Sequence, residues 1–416
     1  ELALVLTLSG PDWEPDLQAE AREAIRVRAL DPVLKSLQGE DKAHWWLGSP
    51  YNWIAVCLSG IAGAAMALEQ DPGRLRALAD GCARGGLSYL DSYGEDGYCE
   101  EGISYWNYGF SHYLCLRHTL LGASSGRVDL MKPAKALAAA RFGQAVAMAD
   151  GQVAAFGDAV LGSLPSEGLL RALHPWLGGP PPSAQAPANP GAVLPNELAL
   201  MDACLAQAHG TTATSAATTP PAMARLTHFE DADIWVMRGA HPEAMSLTFK
   251  AGAKGRSHQH HDLGSYAVSV GGGQPCGDPG GPKRYEARTF NGQRFDSPLM
   301  NSSGHPVPGP CRQKPTGQAR ARTLEARQDG FKAWVRLDLT EAYEWPGLLK
   351  LTREVRHDAQ GRGEVHIVDE ARFSEPQRFE SVLVTDRLTT GSDGQHHLSR
   401  GQASLRLVVD SEVPVT

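Results

Sequence analysis

HGTTATSAATTPPAM, residues 209–223, is small, polar and closed by two prolines, and the chain reads differently on its two sides. Such a composition suits a connecting segment rather than a helix or strand. Upstream, apolar residues recur at helical spacing. NWIAVCLSGIAGAAMALEQ (52–70) is rich in Ala and Leu and stops at DPG, and RLRALADGCARGGLSYLDSY (74–93) repeats Leu75, Leu78 and Cys82 on one face. ISYWNYGFSHYLCLRHTLLGA (103–123), RVDLMKPAKALAAARFGQAVAM (127–148) and ELALMDACLAQA (197–208) extend the series, with the Pro-rich loop GPPPSAQAPANPG (179–191) between the last two. Short turns between such stretches predict antiparallel helix pairs.

Downstream the period shifts to two. ADIWVMRG, AMSLTFKAG, SYAVSVGGG, KAWVRLDLT, LKLTREVRH, GEVHIVDEARF, FESVLVTD and ASLRLVVD read as strands separated by turn residues. That many runs predict an antiparallel sandwich. The division is therefore a helical domain over residues 1–223 and a β domain over residues 224–416.

Composition narrows the function. The 416 residues carry a formal net charge of −8 with no basic run, which excludes a typical nucleic-acid binder. An acidic polymer would need a local basic pocket. No apolar run is long enough to cross a membrane. Seven cysteines occur without a CxxC pair, and an odd count leaves at least one thiol unpaired. The chain begins with Glu, and its first apolar run lacks a basic flank, so it reads as the interior of a longer protein.

Chemistry concentrates in SHQHHDLGSY (257–266). In an extended segment His258, His260 and Asp262 point one way and His261 the other. Downstream, CGDPGG carries Asp278 in a turn and NSSGHPVPGP carries His305. Two imidazoles and a carboxylate, as His260, His305 and Asp278, suit a borderline ion such as Zn²⁺. Histidines in surface loops would look the same. The run also approaches H-x-H-x-D-H, a binuclear metallohydrolase pattern, but Leu263 stands where the last histidine belongs.

The helical half holds a second cluster. On a helix from about Gly102, Tyr105, Tyr108 and His112 share a face. With Trp106 and Asn107 they could form a core or line a sugar-binding cleft. Asn52, before Trp53, could cap its helix or offer its amide to that cleft.

YNWIAVC, DGYCEEGISYWNYG, FGDA, SHQHHDLGSYAVSVGG, CGDPGGPKRYEARTFNGQRFD and NSSGHPVPGP, in this order, resemble the heparinase II/III-like polysaccharide lyases. The resemblance spans most of residues 45–385. It implies an incomplete (α/α) toroid followed by antiparallel β-sheets. The helical half is short for a full toroid, which implies further helices before residue 1. His258 matches a catalytic histidine, while His260, Asp278 and His305 match the ligands of a mainly structural zinc. Counting on from Asn52 by the family's spacing selects Tyr108 as the catalytic tyrosine, with Tyr105 second. A histidine often follows that asparagine; here it is Trp53, so Tyr108 and His258 carry more of the proton transfer.

The implied reaction is β-elimination on a uronate-containing glycan, of glycosaminoglycan or alginate type, leaving a 4,5-unsaturated uronate. Asn52 would offset the substrate carboxylate, and Tyr108 and His258 would move protons. Tyr105, Trp53, Tyr285, Arg288 and Arg294 are the candidate substrate contacts. An acidic polysaccharide substrate implies a periplasmic or secreted enzyme. The alternatives are a carbohydrate-binding homologue without activity and a metal-dependent hydrolase.

Overall fold

The structure is a computed structural model and describes residues 2–178, 223–252, 259–315, 317–392 and 394–412. Its helices are α1 (Leu2–Ser9), α2 (Pro15–Ile25), α3 (Asp31–Gln38), α4 (Asn52–Leu68), α5 (Pro72–Tyr89), α6 (Ile103–Ala123), α7 (Ala134–Ala145) and α8 (Glu167–Leu177). Local chemistry sets several of these ends. Asp71 accepts from Arg74 N at 2.8 Å and Pro72 opens the first turn of α5. The Ser166 hydroxyl caps α8 through Leu169 N, and Gly39, at φ 78°, closes α3 in the left-handed region.

Helix α6 is central to the helical core. Ile103, Ser104, Trp106, Asn107, Gly109, Phe110 and Ser111 are buried, whereas Tyr105, Tyr108 and His112 form a half-exposed stripe. The shared face expected for those three residues is therefore present. Trp106 and Asn107 lie on the other side, in the core. The Trp106 indole is fully buried and donates to Ala139 O at 2.8 Å. Asn107 donates to Leu164 O at 2.8 Å and accepts from Ser166 N at 2.7 Å, so it ties α6 to the start of α8. Neither lines a cleft.

The β half opens with an antiparallel meander of β1 (Leu226–Phe229), β2 (Ile234–Met237), β3 (Ser246–Lys250), β4 (Tyr266–Val270) and β5 (Gly273–Gly277). After β6 (Pro308–Gly309) comes a four-stranded antiparallel sheet of β7 (Arg322–Asp329), β8 (Lys332–Asp338), β9 (Leu348–Asp358) and β10 (Glu364–Phe373). β11 (Glu380–Ser381) pairs with β6, and β12 (Arg387–Thr390), β13 (His396–Arg400) and β14 (Ala403–Leu407) form a third sheet.

The first sheet is covered on both faces. Ile234 and Val236 join the helical core, while Trp235 and Met237 join a second core with Val335, Leu337, Leu351 and Val355. The arrangement is thus helices, sheet, sheet, and it explains why IWVM is apolar at every position rather than alternating. The segment after α7 is bound to this sheet. Arg238 Nε donates to Ala147 O at 2.7 Å, Ser269 Oγ to Asp150 at 2.8 Å, and Gln274 Nε2 to Val153 O at 2.8 Å.

Some expectations fail locally. RVDLMK is not helical; α7 starts only after Pro133. FESVLVTD gives just the two residues of β11, and α1, α2, α3 and α8 were not anticipated. The expected helix over 197–208, the loop 179–191 and nearly all of the 209–223 connection lie outside the described residues. Among the described residues no helix is long and apolar enough to cross a membrane. Trp106→Ala removes the largest fully buried side chain and should cost about 3–5 kcal/mol. Denaturant unfolding would show this as a lower midpoint with an unchanged slope.

Candidate functional site

Residues 259–265 form no strand, yet His260, His261, Asp262, Leu263, Gly264 and Ser265 are all buried. A buried irregular loop must have its backbone polar groups satisfied, and here β-half side chains do so. Gln313 accepts from Leu263 N at 2.9 Å and donates to Leu263 O at 2.7 Å. Gly264 N donates to Lys250 O at 2.8 Å. Arg353 Nη1 donates to Gly264 O at 2.8 Å and to Pro306 O at 2.6 Å. Its other two nitrogens hold both oxygens of Asp369 at 2.7 Å. One buried guanidinium therefore binds the loop of His260 to the loop of His305.

His260 and Asp262 face one way and His261 the other, as alternation predicts. The His261 ring stacks on Phe295 at 4.0 Å. Ligand atoms of His260, Asp262 and His305 lie within 4.8 Å of one another. Asp278 Oδ2 is 3.0 Å from His305 Nδ1 and accepts from Ser265 Oγ at 2.5 Å. The structure thus brings together two of the expected ligands, His260 and His305, with Asp262, whose oxygens are 2.7 and 2.8 Å from Lys250 Nζ, while the expected Asp278 stands outside that group, against His305 and Ser265.

The donor chemistry of His260 fits an ion, whereas both ring nitrogens of His305 face acceptors, Asp278 Oδ2 at 3.0 Å and Leu299 O at 3.2 Å. His260 Nε2 is 2.8 Å from Asp158 Oδ1. Burial lowers the His260 pKa, so the ring is neutral and the proton lies on Nε2 toward the carboxylate. Nδ1 is then a bare lone pair, buried and without a hydrogen-bond partner among the described residues. A ligating imidazole has this form: one nitrogen free, the other fixed by an outer carboxylate.

Asp158, from the FGDA stretch, was not singled out from the sequence. It is 4% exposed, and its carboxylate gathers three β-half side chains. Besides His260, Tyr285 Oη donates to Oδ2 at 3.0 Å and Arg294 Nη2 to Oδ1 at 3.3 Å. Glycines of CGDPGG permit the approach. Gly280, at φ +76°, bridges Val160, and a Cβ there would fall 2.4 Å from Ala159 O; one on Gly281 would fall 2.7 Å from Asp158 Cα.

Tyr105 Oη is 2.6 Å from Tyr285 Oη. Because the Tyr285 proton goes to Asp158, Tyr105 is the donor between the phenols. A donor chain thus runs from α6 through the β half back to Asp158. Burial pushes the Tyr105 phenol up to about 12, and burial with the Asp158 charge also raises Tyr285.

The sequence matches no protein-family model and no curated protein. The architecture does match solved structures. Heparinase III aligns with a TM-score of 0.52 and 14% identity over 92% of this chain and 54% of that chain. The same protein with methylated lysines gives 0.52 and 13%, over 92% and 53%. The chain carries a heparinase-like fold. It spans about half the length of the heparinase III chain.

On that fold the remaining candidates are distributed unevenly. Asn52 is the first residue of α4, not its cap; its amide nitrogen lies 2.9 and 3.2 Å from the Glu101 oxygens. It packs beside α6, where a Cβ on Gly109 would fall 3.1 Å from the Asn52 Cβ. Tyr108 presents its ring edge-on to His112 at 5.0 Å. Burial lowers His112 to about 4, so that ring is neutral. Trp53 is 52% exposed and packs edge-on against exposed Trp45 at 5.9 Å. Arg288 is exposed and pairs with Glu286 at 2.7 Å, whereas Arg294 is drawn back onto Asp158. His258 lies outside the described residues.

Arg353 was also missed, although its strand carried a signal. In LKLTREVRH it occupies the inward register of Leu351 and Val355, and a charge there requires a buried partner. Arg353→Ala would leave the Asp369 charge uncompensated and free the loops of His260 and His305 from each other. We expect a loss of about 3–5 kcal/mol, read from chemical denaturation; a change below about 1 kcal/mol would contradict this role.

Proposed function

We propose that the protein is a polysaccharide lyase that cleaves uronate-containing acidic glycans by β-elimination. The observation carrying this reading is the contact of Tyr105 with Tyr285, which places phenols from both halves at one junction on a heparinase-like fold. The exposed segment around Tyr285 supports an anionic substrate: Lys283, Arg284 and Arg288 surround it in a chain of net charge −8. The pairing of α4 with α5 and α6 is read as part of an incomplete (α/α) toroid. An acidic polymer as substrate favours a periplasmic or secreted enzyme.

In this reaction the C5 proton leaves to a base and its electron pair forms the C4–C5 double bond. The C4–O bond breaks, and the departing oxygen takes a proton. The C5 proton is weakly acidic beside a carboxylate, so that charge must first be offset. Asn52 is 4% exposed and its amide nitrogen lies against both Glu101 oxygens, so offering a proton to the substrate carboxylate requires the amide to turn from Glu101. Tyr108 is the proposed base and acid, with His258 serving the opposite epimer. Tyr105, Tyr285 and Trp53 contact the sugar, and Arg288 and Arg294 supply positive charge once the substrate draws them from Glu286 and Asp158. His260, Asp278 and His305 would hold a zinc ion, with Asp262 facing the same point. The ion's contribution is to fasten the ligand loops.

Incubation of the full-length protein with a panel of uronate polymers should give ultraviolet absorbance from the unsaturated product. Tyr108→Phe should lower kcat by about 10²–10⁴-fold with glycan affinity retained. Binding without absorbance on every polymer would replace the lyase with a glycan-binding protein. Chelation should lower the melting temperature and added zinc restore it; a melting temperature indifferent to chelator would remove the ion from the account.

A further inference from the structure

Asp158 belongs to the α half, yet its buried carboxylate is shared by side chains with different tasks. One oxygen holds the Nε2 side of His260 and Arg294; the other holds the Tyr285 hydroxyl, which in turn accepts from Tyr105. The carboxylate is 1% exposed as a side chain, so water cannot readily replace a lost partner. Its place is also rigid, because the backbone on either side is pressed against Gly280 and Gly281 and pinned by Gly281 N to Ala159 O at 2.9 Å.

We infer that Asp158 is a positioning residue that couples ion binding at His260 to the placement of the Tyr105–Tyr285 pair. The inference rests on the lyase reading for its kinetic part only. Two acceptor oxygens on one planar group have fixed relative directions. A shift of the carboxylate toward His260 therefore moves the acceptor for Tyr285 as well. An ion drawing on His260 Nδ1 strengthens the Nε2–H bond to Asp158 and holds that group where Tyr285 needs it. The ion would thus influence turnover without touching the sugar, and Asp158 would do so without touching either.

Four forms of the full-length protein test this: wild type, Asp158→Asn, Tyr285→Phe and the double variant. Zinc affinity is measured by competition with a chromophoric chelator, and steady-state kinetics follow the unsaturated product at saturating zinc. Asp158→Asn should weaken zinc binding by about 10–100-fold and lower kcat/KM by about tenfold or more. Tyr285→Phe should lower kcat/KM similarly and, because the coupling is reciprocal, weaken zinc binding too, though by less than Asp158→Asn, which removes the contact to His260 itself. The double variant should be no slower than Asp158→Asn alone, since both cut the same connection.

Unchanged zinc affinity in Asp158→Asn, or rate losses that multiply in the double variant, would overturn the coupling. If Asp158→Asn does not fold, wild type decides. Zinc-stripped protein should show a changed near-ultraviolet circular dichroism from its tyrosines, and that change should be diminished in Tyr285→Phe; identical zinc-induced changes in both forms would overturn the coupling. If wild type makes no product from any polymer, the lyase reading fails. The affinity and dichroism measurements still judge the link from His260 through Asp158 to Tyr285.

Discussion

A carboxylate removed from water must find donors, and Asp158 meets three in the other half of the molecule. This constraint organises the junction. The helical half supplies a negative group on a tight turn, and the β half must bring an imidazole, a phenol and a guanidinium to meet it. Each donor belongs to a different part of the 260–294 region, so satisfying one carboxylate fixes the relative positions of several loops. Small residues make the meeting possible: the backbones at Asp158–Ala159 and Gly280–Gly281 approach more closely than a Cβ would allow.

The same logic recurs on the β side. Arg353 and Gln313 act as substitutes for a strand partner, satisfying the backbone of the His260 loop and linking it to Pro306. Lys250 plays a similar part for Asp262. Acidic and imidazole groups are thereby assembled in a dry environment. Each charge has a partner, which keeps the desolvation cost from unfolding the site. Among the described residues the ring of His260 presents an unused lone pair in this setting, the form a borderline ion requires.

Much of the fold was legible because it follows from local periodicity. α6 coincides with the apolar-periodic stretch 103–123, and α4 begins at Asn52 and ends two residues before the expected stop. β2, β3, β8, β9 and β10 lie within or overlap the runs read as strands. FESVLVTD misled because pairing requires a neighbour. Beyond β11 this segment instead meets β5 irregularly, through Gly277 N to Val384 O at 3.0 Å and Thr385 Oγ1 to Pro275 O at 2.8 Å. The His260–Asp262 run was legible because its chemistry clusters in sequence, although Asp278 was expected as the carboxylate ligand and Asp262 stands beside His260 and His305 instead. Asp158 was not, since its partners lie 102 to 136 positions away and only the closed chain brings them near. Trp106 and Asn107 show the reverse error: they neighbour the candidate face in sequence and point away from it in space.

The two halves are proposed to meet around one sugar ring, with an ion fastening the β-side loops. X-ray diffraction from crystals of the full-length protein with zinc and a bound uronate oligosaccharide tests this arrangement most directly, using anomalous scattering at the zinc edge. An anomalous peak is expected beside His260 and His305, with Asp278 as the proposed third ligand, and a uronate between Tyr108 on the helices and Tyr285. A peak elsewhere, or a saccharide bound away from that junction, would contradict it.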